Sequence, residues 1–286
     1  MEIKDQLGFI TIAQNSKYNY LELAYLQALS IKIVMPNSKY AVIVDKPTIQ
    51  DFKEKYWNVI DYVIPIQNDY ARNQDQKFNN EWQVYNLTPF NETIKLESDI
   101  LITRDISHWI NAFRTRDLVL STGTKNYQQV NSDCRYYRQL FDINDLPDVY
   151  NGLMYFKYSE TETALKFFNI AREIYIHWDK IQNVLTRCVN VAASTDLVYA
   201  LAAKILGVEN CTLPLDWINF VHMKPAINNW PEVPWYKAVI TEIDAPMLRI
   251  GNLNQYHPVH YFEKDWAKEI IKEYENGFME RTNKSF

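Results

Sequence analysis

Glycine is scarce in this chain: six in 286 residues, at positions 8, 123, 152, 207, 251 and 277. No two stand close enough to build GxGxxG or GxxxxGK[ST], which excludes the dinucleotide fingerprint and the P-loop. Cysteine is scarcer still. Cys134, Cys188 and Cys211 lie far apart with no CxxC, so neither a paired disulfide framework nor a thiolate zinc site is expected, and a reducing compartment follows. No run reaches 18 apolar residues, and the opening MEIKDQLGF lacks a basic segment followed by an apolar one. We therefore expect no membrane span, no signal peptide and a cytoplasmic protein. Nor is there an excess of positive charge: 30 basic against 35 acidic residues give a net −5. That argues against a general nucleic-acid coat, though not against a local basic patch. What the chain does hold is 47% hydrophobic residues, 20 tyrosines and 8 tryptophans, a composition suited to a large core and to stacking on sugars or bases.

The first half alternates strand-like and helix-like segments. Residues 8–13, 41–44, 59–66, 93–102 and 118–122 read as strands. Residues 19–33, 48–57 and 107–113 read as helices between them. A polar stretch at 67–83 holds almost no aliphatic residue, and such a stretch in a compact domain is functional or mobile. In the second half, 148–156 reads as a turn and strand. Helices are expected at 160–177, at 195–206 up to Gly207, and at 263–274, and the intervening segments are rich in aromatics and proline. The expected class is α/β, one domain over 1–286 with an elaborated C-terminal part. The alternating strands and helices occupy 1–125 and the more irregular part 126–286.

Glu97-Ser98-Asp99 ends an apolar strand pattern. Two carboxylates spaced by two can converge on one hard cation, Mg²⁺ or Mn²⁺, that bridges phosphate oxygens. Alone the triplet means little, because about four such acid-x-acid triplets arise by chance in a chain this acidic. Order supplies the weight. FITIAQNSKY at 9–18, the helix segment Leu26-Gln27-Ala28-Leu29-Ser30, the run YNLTPFNETIKLESDILITRDISHWI at 85–110, VYNGLMYFKYS at 149–159, STD at 194–196 and TLPLDWINF at 212–220 follow one another. In that order they resemble glycosyltransferase family 8, the glycogenin and lipopolysaccharide galactosyltransferase group. The family's D-x-D is here Glu97-x-Asp99, and Leu197 stands where the family's D-Q has glutamine.

The resemblance implies a GT-A fold with a nucleotide-binding half at 1–125 and an acceptor-side half at 126–286, a UDP-sugar donor, Mn²⁺ or Mg²⁺, and transfer with retention. By it, Ala13, Gln14, Asn15 and Tyr18 hold the nucleoside, Asn151 and Gly152 line the donor sugar, and Glu97 and Asp99 bind the metal. Asp196 would orient the acceptor or sit near the anomeric carbon; it equally suits a helix N-terminus. The third metal ligand is a late histidine followed by a lysine on the diphosphate. His260 with Lys264 competes with His222 and Lys224 for this role, and His260 is the better placed; His108, His177 and His257 are read as structural. Arg72, Lys77 and Glu81 fall where the family has a mobile loop, and read more simply as an exposed loop. Trp217, Trp230 and Trp235 read as packing.

VYNGLMYFKYS at 149–159, TDLVYALAAKILG at 195–207, FVHMKP at 220–225 and PVHYFEK at 258–264 together resemble small glycosyltransferases of T-even-like phages, a second resemblance that suggests 5-hydroxymethylcytosine in DNA as acceptor. The cluster Arg135-Tyr136-Tyr137-Arg138, with Arg114, Arg116 and Lys125, would then meet phosphates and a flipped base. The alternatives are a glycan or lipopolysaccharide acceptor, and a sugar-nucleotide-binding protein without transfer.

Overall fold

The structure is a computed structural model and describes residues 3–72, 77–132, 137–158, 162–213, 218–230 and 233–282. Its strands, in chain order, are β1 (Asp5–Ala13), β2 (Lys39–Val44), β3 (Tyr62–Pro65), β4 (Phe90–Leu96), β5 (Ile100–Leu101), β6 (Leu118–Thr122) and β7 (Thr124–Lys125). They continue with β8 (Asn131–Ser132), β9 (Val149–Lys157), β10 (Val221–His222), β11 (Thr241–Asp244), β12 (Met247–Ile250), β13 (Leu253–Asn254) and β14 (Val259–His260).

The central sheet has the order β3-β2-β1-β4-β9-β6. β3, β2, β1 and β4 are parallel, and β9 runs antiparallel to both β4 and β6. Successive residues of β1 point to opposite faces, so Phe9 joins one core and Ile10 the other. Helix Tyr20–Val34 and the closing helix Ala267–Thr282 pack together on one side. Helices Glu162–Ile176 and Thr195–Leu206 cover the other. The Tyr20–Val34 helix is buried around most of its circumference, as expected of a helix inside a layered α/β domain rather than on its rim. Asn19 caps it by accepting from the Glu22 N–H at 3.1 Å.

Two topological features place the site. The chain moves outward from β1 to β2 and β3, then returns to lay β4 on the other flank of β1. The carboxyl ends of β1 and β4 therefore flank a switch point, where open α/β sheets bind ligands. The second sheet, β5-β14-β10-β7-β8, sits beside this edge. Its register sets His222 opposite His260, and His260 opposite Ile100 just past the two acids.

The expected strand at 93–102 is two strands. The Glu97 N–H donates to the Gly152 carbonyl and the Ile100 N–H to the Glu97 carbonyl, so the chain turns at 97–99 and leaves one sheet for the other. The expected helix at 48–57 is a short helix, Lys46–Ile49, and a 3₁₀ turn, Glu54–Asn58. Val59 and Ile60 close that turn on the Tyr56 carbonyl, which shortens the third strand to β3. The closing helix runs to Thr282, past Gly277, whose missing side chain admits Ala245: a Cβ there would lie 2.9 Å from the alanine methyl. The aromatic segment before it forms the antiparallel sheet β11-β12-β13. Trp235 is fully buried there and donates to the Tyr261 carbonyl at 2.6 Å. β9, from the second half of the chain, lies between β4 and β6 of the first. No helix among the described residues is long and apolar enough to cross a membrane.

Candidate metal and sugar-nucleotide site

Glu97, Asp99 and His260 converge at the switch point, each offering a ligand atom within 4.8 Å of the others. His260 Nε2 lies 2.9 Å from Asp99 Oδ2, and its Nδ1 lies 3.6 Å from Glu97 Oε2. Lys264 brings its ammonium to the same Asp99 oxygen at 2.8 Å. Asp99 and His260 are buried, while Glu97 keeps part of its carboxylate exposed. Burial works against ionisation of Asp99, yet His260 and Lys264 outweigh it and hold the carboxyl far below the usual range. Burial likewise opposes charge on His260, and Asp99 and Glu97 overcome it and raise the imidazole. Glu97 goes the other way. Burial raises it, His260 opposes, and the like charges of Asp99 and Asp196 add to the rise.

His222 stands outside this convergent set. Its ring stacks on His260, centroids 4.4 Å apart and planes 13° from parallel. Burial, then the charges of His260 and Lys224, push it well below the usual imidazole range. Its Nδ1 finds no hydrogen-bond partner among the described residues. Lys224 lies over the Tyr137 ring at 4.7 Å.

The turn holding the acids is built from the Tyr20–Val34 helix. Gln27, fully buried, donates to the Glu97 and Ile100 carbonyls at 2.6 and 3.0 Å and accepts from the Tyr40 hydroxyl at 2.9 Å. Ser30 accepts from the Ile102 N–H at 3.0 Å. Opposite them, β9 carries Asn151 and Gly152 near its start. Asn151 donates its side-chain amide to Glu97 Oε1 at 3.0 Å and its backbone N–H to Asp196 Oδ1 at 2.7 Å. Gly152 lets the Phe220 ring close over the strand; a Cβ would lie 2.6 Å from that ring.

The residues expected around the nucleoside take more varied parts. Ala13 is buried at the end of β1. Gln14 gives its amide to Asp45 at 3.0 Å and accepts from Asn80 at 2.9 Å. Asn15 ties the loop to Asp51 and to the Leu21 N–H. These two amides shape the crevice wall with side chains already engaged. Tyr18 and Lys264, with Lys17, Asn19 and Lys268, border a cavity of about 390 Å³, which shares Lys264 with the acid site. A cleft of the same volume at the end of β3, against Trp82, includes none of them.

Several polar residues take on parts that sequence reading did not assign. Lys95, 1% exposed on β4, pairs with Glu81 at 2.8 Å and donates to Asn151 Oδ1. The only sequence signal for it is a charge inside an apolar strand. Glu81, read as part of an exposed loop, is thereby held against the core, and the polar stretch around it is a packed amide network in which Asn80 is fully buried.

Arg138 belongs to the acid site and not to a free basic surface. It is 7% exposed, held between the Phe141 and Tyr150 rings at 3.7 and 3.9 Å. It pairs with Asp148 and, at 3.3 Å, with Asp196. Arg114, itself exposed, is engaged by Glu92 at 2.7 Å and Lys125 by Asn131 at 2.7 Å, and Arg116 is exposed. Arg135, Tyr136 and Trp217 lie outside the described residues.

No protein-family model matches the chain, and no curated protein matches it by sequence. Solved structures do. The galactosyltransferase LgtC, crystallised in complex with donor and acceptor sugar analogs, aligns with a TM-score of 0.51 at 11% identity, over 94% of this chain and 95% of that one. Mouse xyloside xylosyltransferase 1 in its apo form aligns at 0.47 and 8% identity, over 77% of this chain and 88% of its own. GlyE of Streptococcus pneumoniae TIGR4 aligns at 0.42 and 10% identity, over 74% and 46%. At these identities the likeness is one of fold: the chain has the GT-A fold of glycosyltransferases, as its motif order implies.

Proposed function

We propose that the protein is a metal-dependent glycosyltransferase that moves a sugar from a UDP-sugar to a hydroxyl acceptor with retention at the anomeric carbon. The observation that carries this reading is the convergence of Glu97, Asp99 and His260 at the switch point of a glycosyltransferase fold. Two carboxylates within reach of one another suit a hard divalent ion such as Mn²⁺ or Mg²⁺, and the imidazole adds a nitrogen ligand, which the first-row ion Mn²⁺ takes more readily than Mg²⁺. Glu97, Asp99 and His260 would hold the ion, which when bound would supply positive charge opposite the diphosphate as UDP leaves. Lys264, beside the same acid, adds a second positive charge to that end of the donor.

Asp196 supports retention without a covalent intermediate. One of its oxygens accepts from the Asn151 N–H and the other faces the Arg138 guanidinium, contacts that stabilise the carboxylate and weaken it as a nucleophile. Its part is to orient a hydroxyl or to balance charge at an oxocarbenium-like carbon. The acceptor hydroxyl then attacks from the face that UDP vacates.

Hydroxymethylated pyrimidine in DNA remains the proposed acceptor on the strength of the phage resemblance alone. Extracting a base needs cations free to meet phosphates beside the site. Arg114, Lys125 and Arg138 are committed elsewhere, and among the described residues Arg116 is the exposed member of that cluster without an ion pair to an acid.

One experiment tests both levels. A panel of UDP-hexoses and UDP-pentoses is incubated with Mn²⁺ or EDTA, with hydroxymethylcytosine DNA or oligosaccharides as acceptor, and products are read by mass spectrometry. We expect UDP release that stops in EDTA and a single acceptor class modified. Full activity in excess chelator would overturn the metal reading; no UDP release from any donor would overturn the transferase reading. Transfer to oligosaccharides alone would remove DNA as acceptor.

A further inference from the structure

We infer that Lys95 is a positioning residue for Glu97, acting through the side-chain amide of Asn151. The inference rests on the metal-binding reading above and adds to it how one of the acids is oriented. Lys95 lies on β4 two residues before Glu97, a spacing that puts both on one side of the chain. It is 1% exposed. An ammonium in such a place is costly unless paired, and a well-packed apolar side chain would serve stability as well or better. Its retention in the strand that delivers the acid calls for a local reason.

The contacts supply one. The Lys95 ammonium meets Glu81 Oε2 at 2.8 Å and donates to Asn151 Oδ1. With its oxygen engaged by a cation, the Asn151 amide has a single favourable orientation, with the NH₂ group toward Glu97. That group donates to Glu97 Oε1 at 3.0 Å. The Asn151 backbone is already fixed by its N–H on Asp196, so the amide rotation is the freedom that Lys95 removes. Glu97 is thereby held by one oxygen and presents the other, Oε2, toward His260. Remove the ammonium, and the amide oxygen loses its anchor, so the NH₂ group is no longer held in place from behind and the amide and carboxylate can shift together.

Direct Mn²⁺ binding tests this without relying on turnover. Free Mn²⁺ is followed by its aqueous electron paramagnetic resonance signal during titration of wild type, Lys95→Met, and the doubly substituted Glu81→Gln/Lys95→Met. The double variant removes both charges and so strands no unpaired carboxylate in the interior if the single variant folds poorly. Circular dichroism checks that each protein is folded. We expect both variants to bind Mn²⁺ about 10- to 100-fold more weakly, the range for residues that orient metal ligands. Glu81→Gln alone, with the ammonium still on Asn151, should stay within about 3-fold of wild type on the same scale. A purely structural lysine would lower the melting temperature and leave the Mn²⁺ affinity of the folded protein unchanged; that result overturns the inference while the metal site stands. Wild type that binds no Mn²⁺ would instead overturn the site itself, and the inference with it.

Discussion

Asp99 is the residue on which the local electrostatics turn, because both cations of the site meet on its Oδ2. Replacing it by Asn keeps the shape and removes the charge. We expect Asp99→Asn to lower Mn²⁺-dependent UDP release by about 10²–10³-fold, the scale for losing one preorganised charge-stabilising group; steady-state assays with saturating donor would show it. The two stacked histidines can be told apart in the same way. His260→Ala removes a convergent ligand and should weaken Mn²⁺ binding sharply. His222→Ala removes only the ring behind it and should leave Mn²⁺ binding largely intact. An equal loss for both in a calorimetric titration would mean that the buried His222 nitrogen also reaches the ion.

Among the elements, the Tyr20–Val34 helix does most to shape the site, although it supplies none of the three convergent side chains. Gln27 reaches from it to both carbonyls of the acid turn and to Tyr40. Gln27→Leu keeps the volume but removes two hydrogen bonds to buried carbonyls, of which that of Glu97 keeps the Ile100 N–H, and leaves the Tyr40 hydroxyl without its acceptor. Each unsatisfied buried group costs about 1–3 kcal/mol. We expect the variant to lose stability on that scale in urea denaturation and to bind Mn²⁺ more weakly, because the turn loses its support. A variant that loses stability with unchanged Mn²⁺ affinity would show that β4 and β5 hold the turn by themselves. Gly152→Ala belongs to the same scale. Its methyl meets the Phe220 ring at 2.6 Å, and such overpacking costs about 1–3 kcal/mol.

For the molecule as a whole, pH acts through imidazoles shifted in opposite directions, half-buried His257 downward and buried His260 upward. Burial first, then Lys125 and Arg104, push His257 down to about 4 from the ordinary 6.5. Between those values the unfolded chain takes up a proton that the folded chain refuses, so this group lowers stability as pH falls through that window. His260, raised when folded, works the other way: its contribution is present below the unfolded value and fades as pH rises through the folded one. A variant therefore has to isolate the effect. We expect His257→Gln to lose less stability than wild type between pH 7 and pH 5, measured by urea midpoints at each pH. Equal losses would mean that His257 titrates normally in the folded protein.

What the sequence determined by itself follows from short-range pattern. Short, largely apolar runs mark β1, β6 and β9 as buried strands, and helical spacing marks Thr195–Leu206 up to Gly207, whose φ of +95° ends it. The pair Glu97-x-Asp99 at a strand end was legible for the same reason: strand periodicity and acid spacing are both local. The motif order then pointed to the fold that the structural comparison shows. The rest depended on register between distant segments. His260 meets Asp99 across 161 residues because β14 pairs with β5, and no local pattern tells it from His222, which lies beside it in the same sheet. Lys95 reads as an oddity in an apolar strand until β9 brings Asn151 to it and the polar stretch brings Glu81. Arg138 reads as part of a basic surface until the fold buries it against Asp196. In each case the charge was visible in the sequence; whether it meets solvent or an acid is fixed by which strands and loops the fold sets side by side.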